Sequence, residues 1–107
     1  MRHTQFTEIT EWQKATFPNA TTKSKILHLM QEVEELLNEV EPCEDGATGT
    51  YATKMEFADC FILLFGAARE FGMNYQQICD AIDKKMQINY QRKWGKPNAN
   101  GIVNHVK

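Results

Sequence analysis

Two pairs of acidic residues, each with a spacing of three, are the residues in this sequence best suited to chemistry. Glu32 and Glu35 form the first pair, and Glu56 and Asp59 form the second. Residues three apart on an α-helix lie about 60° apart around its axis, so each pair presents two carboxylates on one face. If the two helices lie side by side, the pairs converge on a site with four carboxylates and no sulfur.

A site built only from carboxylate oxygens favours Mg²⁺ or Mn²⁺ over zinc. A di-iron helical bundle would need Glu-x-x-His pairs, and the sequence contains none. Because Mg²⁺ usually keeps water ligands and accepts the phosphate oxygens of a substrate, the pairs indicate phosphate chemistry. Two other interpretations remain open at this point. Such pairs can simply be solvated, and Glu56 and Asp59 can be stabilised by the dipole at a helix N-terminus.

A second set of polar residues interrupts the inward face of the last predicted helix. Ile78 and Ile82 define that face, and the same spacing continues to Lys85, Asn89 and Arg92, where apolar residues are expected. Lysine binds phosphate as a point charge, and arginine binds it as a fork of donors, so this pattern favours an anion site. The alternative is a solvated helix end whose long side chains lie along apolar surface.

Four predicted helices must position these residues, because apolar residues recur at helical spacing and no convincing alternating strand pattern appears. The predicted ranges are 7–16, 22–41, 53–71 and 74–93. Thr53 and Glu56 are predicted to form a capping box, a polar loop is predicted over 43–50, and Gly72 suits the end of the third helix. This third helix is apolar nearly all round and is expected at the centre of the protein.

We therefore predict an all-α four-helix bundle. Few helices bury only part of their apolar surface, so assembly as a homo-oligomer is expected. The 107 residues are enough for a single domain spanning 1–107. The net charge of −2 gives no reason to expect a nucleic-acid or anionic-membrane partner. Three cysteines without a CxxC spacing indicate reduced thiols, and the absence of a signal core predicts a cytoplasmic protein.

The acidic pairs resemble a motif of the MazG-like all-α nucleoside triphosphate pyrophosphohydrolases, Glu-x-x-Glu followed after a variable gap by Glu-x-x-Asp. Here the two pairs match that motif with 20 residues between them. Four longer stretches look like the phage and bacterial branch described as dATP/dGTP pyrophosphohydrolases: EWQKATFPNAT, HLMQEVEELLNEV, EFADCFILLFGAARE and KMQINYQRKWGKP.

The resemblance implies a four-helix fold assembled as a homodimer or homotetramer, with Mg²⁺, or alternatively Mn²⁺, at the four carboxylates. It implies cleavage of dATP or dGTP between the α- and β-phosphates, which gives a nucleoside monophosphate and pyrophosphate. The phosphate-contacting residues of the family fall on Lys85, Asn89 and Arg92. The chain departs from many members at Gln31, where they have an acidic residue just before the first motif glutamate.

For this reaction we expect Glu35 to orient or deprotonate the attacking water, and Lys85 with Arg92 to stabilise charge on the leaving pyrophosphate. Trp12 is a candidate for stacking on the base, although a core position is the ordinary interpretation of such a residue. The alternatives are a non-catalytic helical interaction or regulatory module, or the same chemistry on a pyrimidine or damaged nucleotide. A phage-encoded enzyme would act in the host cytoplasm.

Overall fold

The computed structural model describes residues 1–43, 45–46 and 50–107, so the predicted loop over 43–50 lies partly outside the described residues. The four predicted helices are present, which confirms the all-α class. They are α1 (His3–Thr16), α2 (Thr22–Val40), α3 (Tyr51–Glu70) and α4 (Tyr75–Gln91). Within the described ranges, none of the helices combines the length and apolar character that crossing a membrane requires.

Side-chain caps explain where two of the helices begin. Before α2, the Thr21 hydroxyl accepts a hydrogen bond from the Ser24 N–H at 3.0 Å, and the Ser24 hydroxyl accepts one from the Thr21 N–H at 2.9 Å. Before α3, the Thr50 hydroxyl accepts from the N–H of Thr53 at 3.3 Å. The predicted cap at Thr53 was therefore wrong, because an earlier threonine takes that role and extends the helix.

The first 75 residues form one compact unit, in which α2 and α3 pack along each other and α1 packs on α3. Phe6 on α1 is buried and meets Phe65 on α3 edge to face, with ring centroids 6.0 Å apart. The central position expected for α3 is only partly observed. Phe57, Phe61 and Leu64 are about half exposed in the single chain.

Residues 76–107 form a second compact unit that contains most of α4 and a short two-stranded sheet. Its strands are β1 (Lys93–Trp94) and β2 (His105–Val106), which pair antiparallel with Trp94 opposite His105. The sequence pattern predicted helix through residue 93 and no strand, and both predictions were wrong. The backbone of 93–94 leaves the helix because it pairs with the C-terminal residues instead.

Candidate active site

Helices α2 and α3 bring three of the predicted metal ligands together. Glu32, Glu35 and Glu56 each offer a carboxylate oxygen, and these oxygens all lie within 4.8 Å of one another. The helical spacing places Asp59 one turn after Glu56, and its charge raises the pKa of both Glu35 and Glu56. The packing of the two helices thus gathers both acidic pairs, with Asp59 beside the tightest group.

The charge of Glu32 is the largest cause of a raised pKa at Glu35. A hydrogen bond with Glu32 and partial burial add to it, whereas His28 acts in the opposite direction. His28 Nε2 lies 3.3 Å from Glu32 Oε1, one turn before it on α2. Glu35 itself is exposed, so its carboxyl is open to water and to a ligand.

Burial is the largest cause of a raised pKa at Glu56, followed by a hydrogen bond with Glu32 and by the charges of the other acids. One of its oxygens, Oε2, is buried and has no hydrogen-bond partner in the part of the chain that the structure describes. A buried carboxylate without a partner is costly unless a cation is near. This orphaned oxygen and the repulsion among the acids fit a divalent cation at this position.

The donors available in the cluster are hard oxygens, which suits Mg²⁺ or Mn²⁺. Cys60 on α3 is a candidate for a soft ligand, because the charges of three of the acids act on its thiol. Burial, together with the charges of Glu32, Glu56 and Asp59, raises the pKa of its thiol. The metal-free thiol therefore ionises less readily than a free cysteine, and the carboxylate oxygens remain the better cation ligands.

A pocket of about 400 Å³ adjoins the acidic cluster, lined by residues of α1, α2 and α3 together with residues of the turn between α1 and α2. Glu32 and Asp59 contribute to its wall, and so do Trp12 and Phe17, whose rings meet edge to face at 5.6 Å. Its volume lies within the roughly 300–1,000 Å³ that ligand pockets usually occupy. Trp12, the predicted base-stacking residue, therefore lies in the wall of a pocket that reaches the carboxylates.

The sequence did not predict that two polar residues, Gln13 and Lys25, are buried in the same pocket wall. A signal for Gln13 existed. It follows Phe6 and Thr10 at helical spacing, so it lies on the inward face of α1, where an apolar residue is expected. For Lys25 the pattern offered no comparable signal, because lysines at the start of a helix are ordinarily solvated.

The predicted phosphate-binding residues lie in the second unit. Lys85 is exposed on α4, and Asn89, one turn later, is half-buried. Arg92 lies just beyond the last helical residue, Gln91, so its placement on a continuous helical stripe was wrong. The Asn89 carbonyl accepts from Trp94 Nε1 at 3.1 Å and from the Arg92 N–H at 3.3 Å, which ties the helix end to the sheet. The role of these residues in binding phosphate stays a prediction.

The chain is similar in sequence to one phage protein and in structure to another. A dATP/dGTP diphosphohydrolase of Salmonella phage PMBT28 is 36% identical over 86 residues, which cover 80% of this chain and 25% of that protein. The chain thus spans about a quarter of that relative's length. A solved structure of the cyanophage S-2L MazG-like pyrophosphohydrolase, bound to dGDP and three catalytic Mn²⁺ ions per active site, aligns with a TM-score of 0.75. It is 25% identical, and the alignment covers 100% of this chain and 99% of that one.

The structural match confirms the predicted MazG-like fold. The model of the dATP/dGTP pyrophosphohydrolase family matches residues 5–107, a range that contains both acidic pairs, the pocket residues and α4. The match confirms the resemblance to this family. The chain therefore belongs to the dATP/dGTP pyrophosphohydrolase family.

Proposed function

We propose that this protein hydrolyses dATP and dGTP to the nucleoside monophosphate and pyrophosphate, with Mg²⁺ as the cation and Mn²⁺ as a suitable substitute. The observation that carries the proposal is the cluster of Glu32, Glu35 and Glu56 within 4.8 Å, beside a pocket that can accept a nucleotide. The family, the name of the phage relative, and the dGDP and Mn²⁺ ions of the cyanophage structure support it.

Glu32, Glu35, Glu56 and Asp59 would hold the cation, and the buried Oε2 of Glu56 would gain the partner that it lacks among the described residues. A divalent cation bound there supplies positive charge for the phosphate oxygens and lowers the pKa of a bound water. Among Glu32, Glu35 and Glu56, Glu35 is the exposed residue, so we assign it to orient the attacking water toward the α-phosphorus and to accept its proton.

The basic residues of the second unit would bind the rest of the triphosphate. In this role Lys85 and Arg92 stabilise the charge that develops on the leaving pyrophosphate, and the Asn89 side chain donates a hydrogen bond to a phosphate oxygen. Trp12 would stack on the base in the pocket. Residues 76–107 contain six basic and only two acidic residues, which supports an anion-binding role for this part of the chain.

The test is a product analysis with a nucleotide panel. Incubation of dATP or dGTP with the protein and Mg²⁺ should release pyrophosphate and the monophosphate, and EDTA should stop the release. Inorganic phosphate and a diphosphate as products would contradict the proposed bond cleavage. Faster turnover of dCTP, dUTP or a damaged nucleotide would contradict the substrate assignment, and no release from any nucleotide would favour the non-catalytic module.

The acting form is proposed to be a homodimer or homotetramer. Met30, Val33 and Leu37 recur at helical spacing on α2, and they are about half exposed or more in the single chain. A second copy would cover such a face. Light scattering should give a mass above the 12.3 kDa of one chain at micromolar concentration, and a stable monomer would contradict the proposal.

A further inference from the structure

Two polar side chains are buried in the wall of the 400 Å³ pocket, and the proposed mechanism uses neither of them. Gln13 on α1 is only 3% exposed, and Lys25 on α2 is only 6% exposed. Both also line a second, smaller cavity of about 70 Å³ together with Gly66 and Glu70. The two side chains therefore stand between the two cavities, where burial of polar groups needs an explanation.

The orientation of the Gln13 amide is fixed from one side. Its Nε2 donates a hydrogen bond to the backbone carbonyl of Ile62 at 3.0 Å, so the nitrogen faces α3 and the oxygen faces away from that carbonyl. A Cβ at Gly66 would lie 2.5 Å from Gln13 Oε1, so only glycine leaves room for this amide. Oε1 is buried and has no hydrogen-bond partner among the described residues.

Lys25 supplies the complementary group. Its Nζ lies 3.9 Å from Glu70 Oε1, which is an ion-pair distance longer than a hydrogen bond. The ammonium group has three donors, so it can donate to a ligand while it keeps Glu70 as its counterion. Lys25 also lies one turn before His28 and two turns before Glu32, and all three line the pocket.

We infer that Gln13 and Lys25 recognise the edge of the substrate's nucleobase, an inference that rests on the proposed function. Adenine presents the N7 acceptor beside the 6-amino donor, and guanine presents the O6 acceptor beside the N1–H donor, in the same order around the ring. Lys25 donates to the acceptor, and Gln13 Oε1 accepts from the donor. One donor and one acceptor on the protein therefore fit both purines after a small shift of the base.

The buried position of Gln13 Oε1 affects base binding in two ways: it limits access to the oxygen, and it makes a new hydrogen bond favourable. Because the oxygen is shielded, the pocket wall must open slightly when the base enters. The new hydrogen bond then removes the cost of an unpaired buried acceptor, which makes the contact selective. Pyrimidines carry a similar edge on one ring, nearer the sugar, so they reach Gln13 and Lys25 less well.

The first experiment removes the 6-amino group from the substrate. Wild-type protein should turn over the triphosphate of 2′-deoxypurine riboside, which lacks this group, with a kcat/KM about ten- to a hundredfold below that for dATP. Gln13→Met should lower kcat/KM for dATP to nearly the same level and abolish the difference between the two substrates. Gln5→Met, on the exposed side of α1, is the matched control and should keep the difference.

The second experiment does not depend on the hydrogen bond to Ile62, so it remains informative if Gln13→Met folds poorly. Lys25→Met should lower kcat/KM for dATP and dGTP by roughly tenfold or more, because a contact to a charged donor is lost. Its melting temperature should fall, because the partly buried Glu70 loses its counterion, so the kinetics are measured at a temperature where the variant is fully folded. The exposed Lys23→Met is the matched control and should leave both kinetics and melting temperature unchanged.

Calorimetric titration, with Ca²⁺ in place of Mg²⁺ to slow hydrolysis, separates this inference from the proposed function. If pyrophosphate is released but the wild type treats dATP and the amino-less analogue alike, the inference is overturned and the function stands. If no pyrophosphate is released but dATP binds more tightly than the analogue, and Gln13→Met removes that difference, the function is overturned and the inference stands. If the protein neither binds dATP nor releases pyrophosphate, both the inference and the proposed function are overturned.

Discussion

Acidic and basic residues are divided unevenly between the two compact units of this chain. Residues 1–75 contain 12 of the 14 acidic residues and half of the 12 basic ones. Residues 76–107 contain the other six basic residues, with only Asp80 and Asp83 to balance them. A formal net charge of −2 for the whole chain thus combines a strongly negative unit with a positive one.

The two units also hold their charges differently. In the first unit, carboxylate oxygens are packed within 4.8 Å of one another, and Glu56 Oε2 is buried. In the second unit, Lys84, Lys85 and Lys93 are exposed. Clustered acids destabilise the metal-free fold, whereas exposed lysines cost the fold little. Substitutions of the clustered acids should therefore change both stability and activity, and substitutions of the exposed lysines that bind phosphate should change activity alone.

The sharpest test of the first unit is Glu56→Gln. Pyrophosphate release should fall to background, because the variant loses a buried cation ligand. The metal-free melting temperature should stay level or rise, because burial and the neighbouring acids disfavour the charged carboxylate. Glu34→Gln, an exposed neighbour of the cluster on α2, should change neither property. Full activity in Glu56→Gln would remove this residue from the site.

The corresponding test of the second unit is Lys85→Met, compared with its neighbour Lys84→Met on the opposite face. A hydrogen bond to a charged group contributes about 1.5–3 kcal/mol, so losing a phosphate contact should lower kcat/KM by roughly ten- to a hundredfold. The melting temperature should not fall, since Lys85 is exposed. If Lys84→Met is equally impaired, a general field of positive charge explains the result better than a specific contact.

The Arg92→Lys variant tests whether the Arg92 guanidinium donates two parallel hydrogen bonds to a phosphate group. Lysine keeps the positive charge but cannot donate two parallel hydrogen bonds, so a bidentate contact predicts about a tenfold loss in kcat/KM. A contact that needs only charge predicts kinetics equal to those of the wild type. Steady-state assays with dATP, alongside a thermal melt, distinguish the two outcomes and show whether the second unit contributes geometry as well as charge.

The pH dependence of stability tests the acidic cluster of the first unit. Glu35 and Glu56 have a pKa raised above the ordinary value of 4.5, chiefly through the charge of Glu32 and through burial, respectively. The folded chain therefore binds more protons than the unfolded chain above pH 4.5, and its stability falls as pH rises through that range. Mg²⁺ should raise the melting temperature more at about pH 8 than at about pH 5, because it binds the ionised carboxylates. An equal effect at both pH values would contradict this linkage.

The sequence predicted the helices and the acidic cluster because both depend on spacing along a single helix. Apolar residues at helical intervals mark α2 and α3, and an i, i+3 pair on each needs only side-by-side packing to converge. The start of α3 was less certain, because Thr50 and Thr53 offer similar caps and only the backbone path selects one. The strands at 93–94 and 105–106 are too short for any alternating pattern to reveal them.

The polar residues of the pocket escaped prediction for a different reason. From the sequence alone, a glutamine on α1 or a lysine near the start of α2 is expected to be exposed to solvent, because most glutamines and lysines are exposed. Gln13 becomes informative only when α3 is in place, because Ile62 supplies its acceptor and Gly66 supplies its space. Lys25 is buried between the same helices. Their role follows from the packing of three helices, which no short motif encodes.

The smallest expected effect concerns the short sheet that ends the second unit. Trp94 Nε1 donates to the Asn89 carbonyl at 3.1 Å, and its ring meets His105 edge to face at 6.2 Å. Trp94→Phe keeps an aromatic ring but removes the donor. The Asn89 carbonyl retains the Arg92 N–H as a partner, so the loss should be about 1 kcal/mol and confined to the end of α4.

Hydrogen exchange at 89–95 should therefore become faster by roughly fivefold in Trp94→Phe, while kcat/KM falls by about threefold at most. Tyr90→Phe is the matched control, because that ring is 78% exposed and lies at the same helix end. It should alter neither measurement. If Trp94→Phe impairs turnover as strongly as Lys85→Met, the basic residues depend on packing as much as the acidic cluster does. That result would contradict the view that only the acidic residues of the first unit depend on packing.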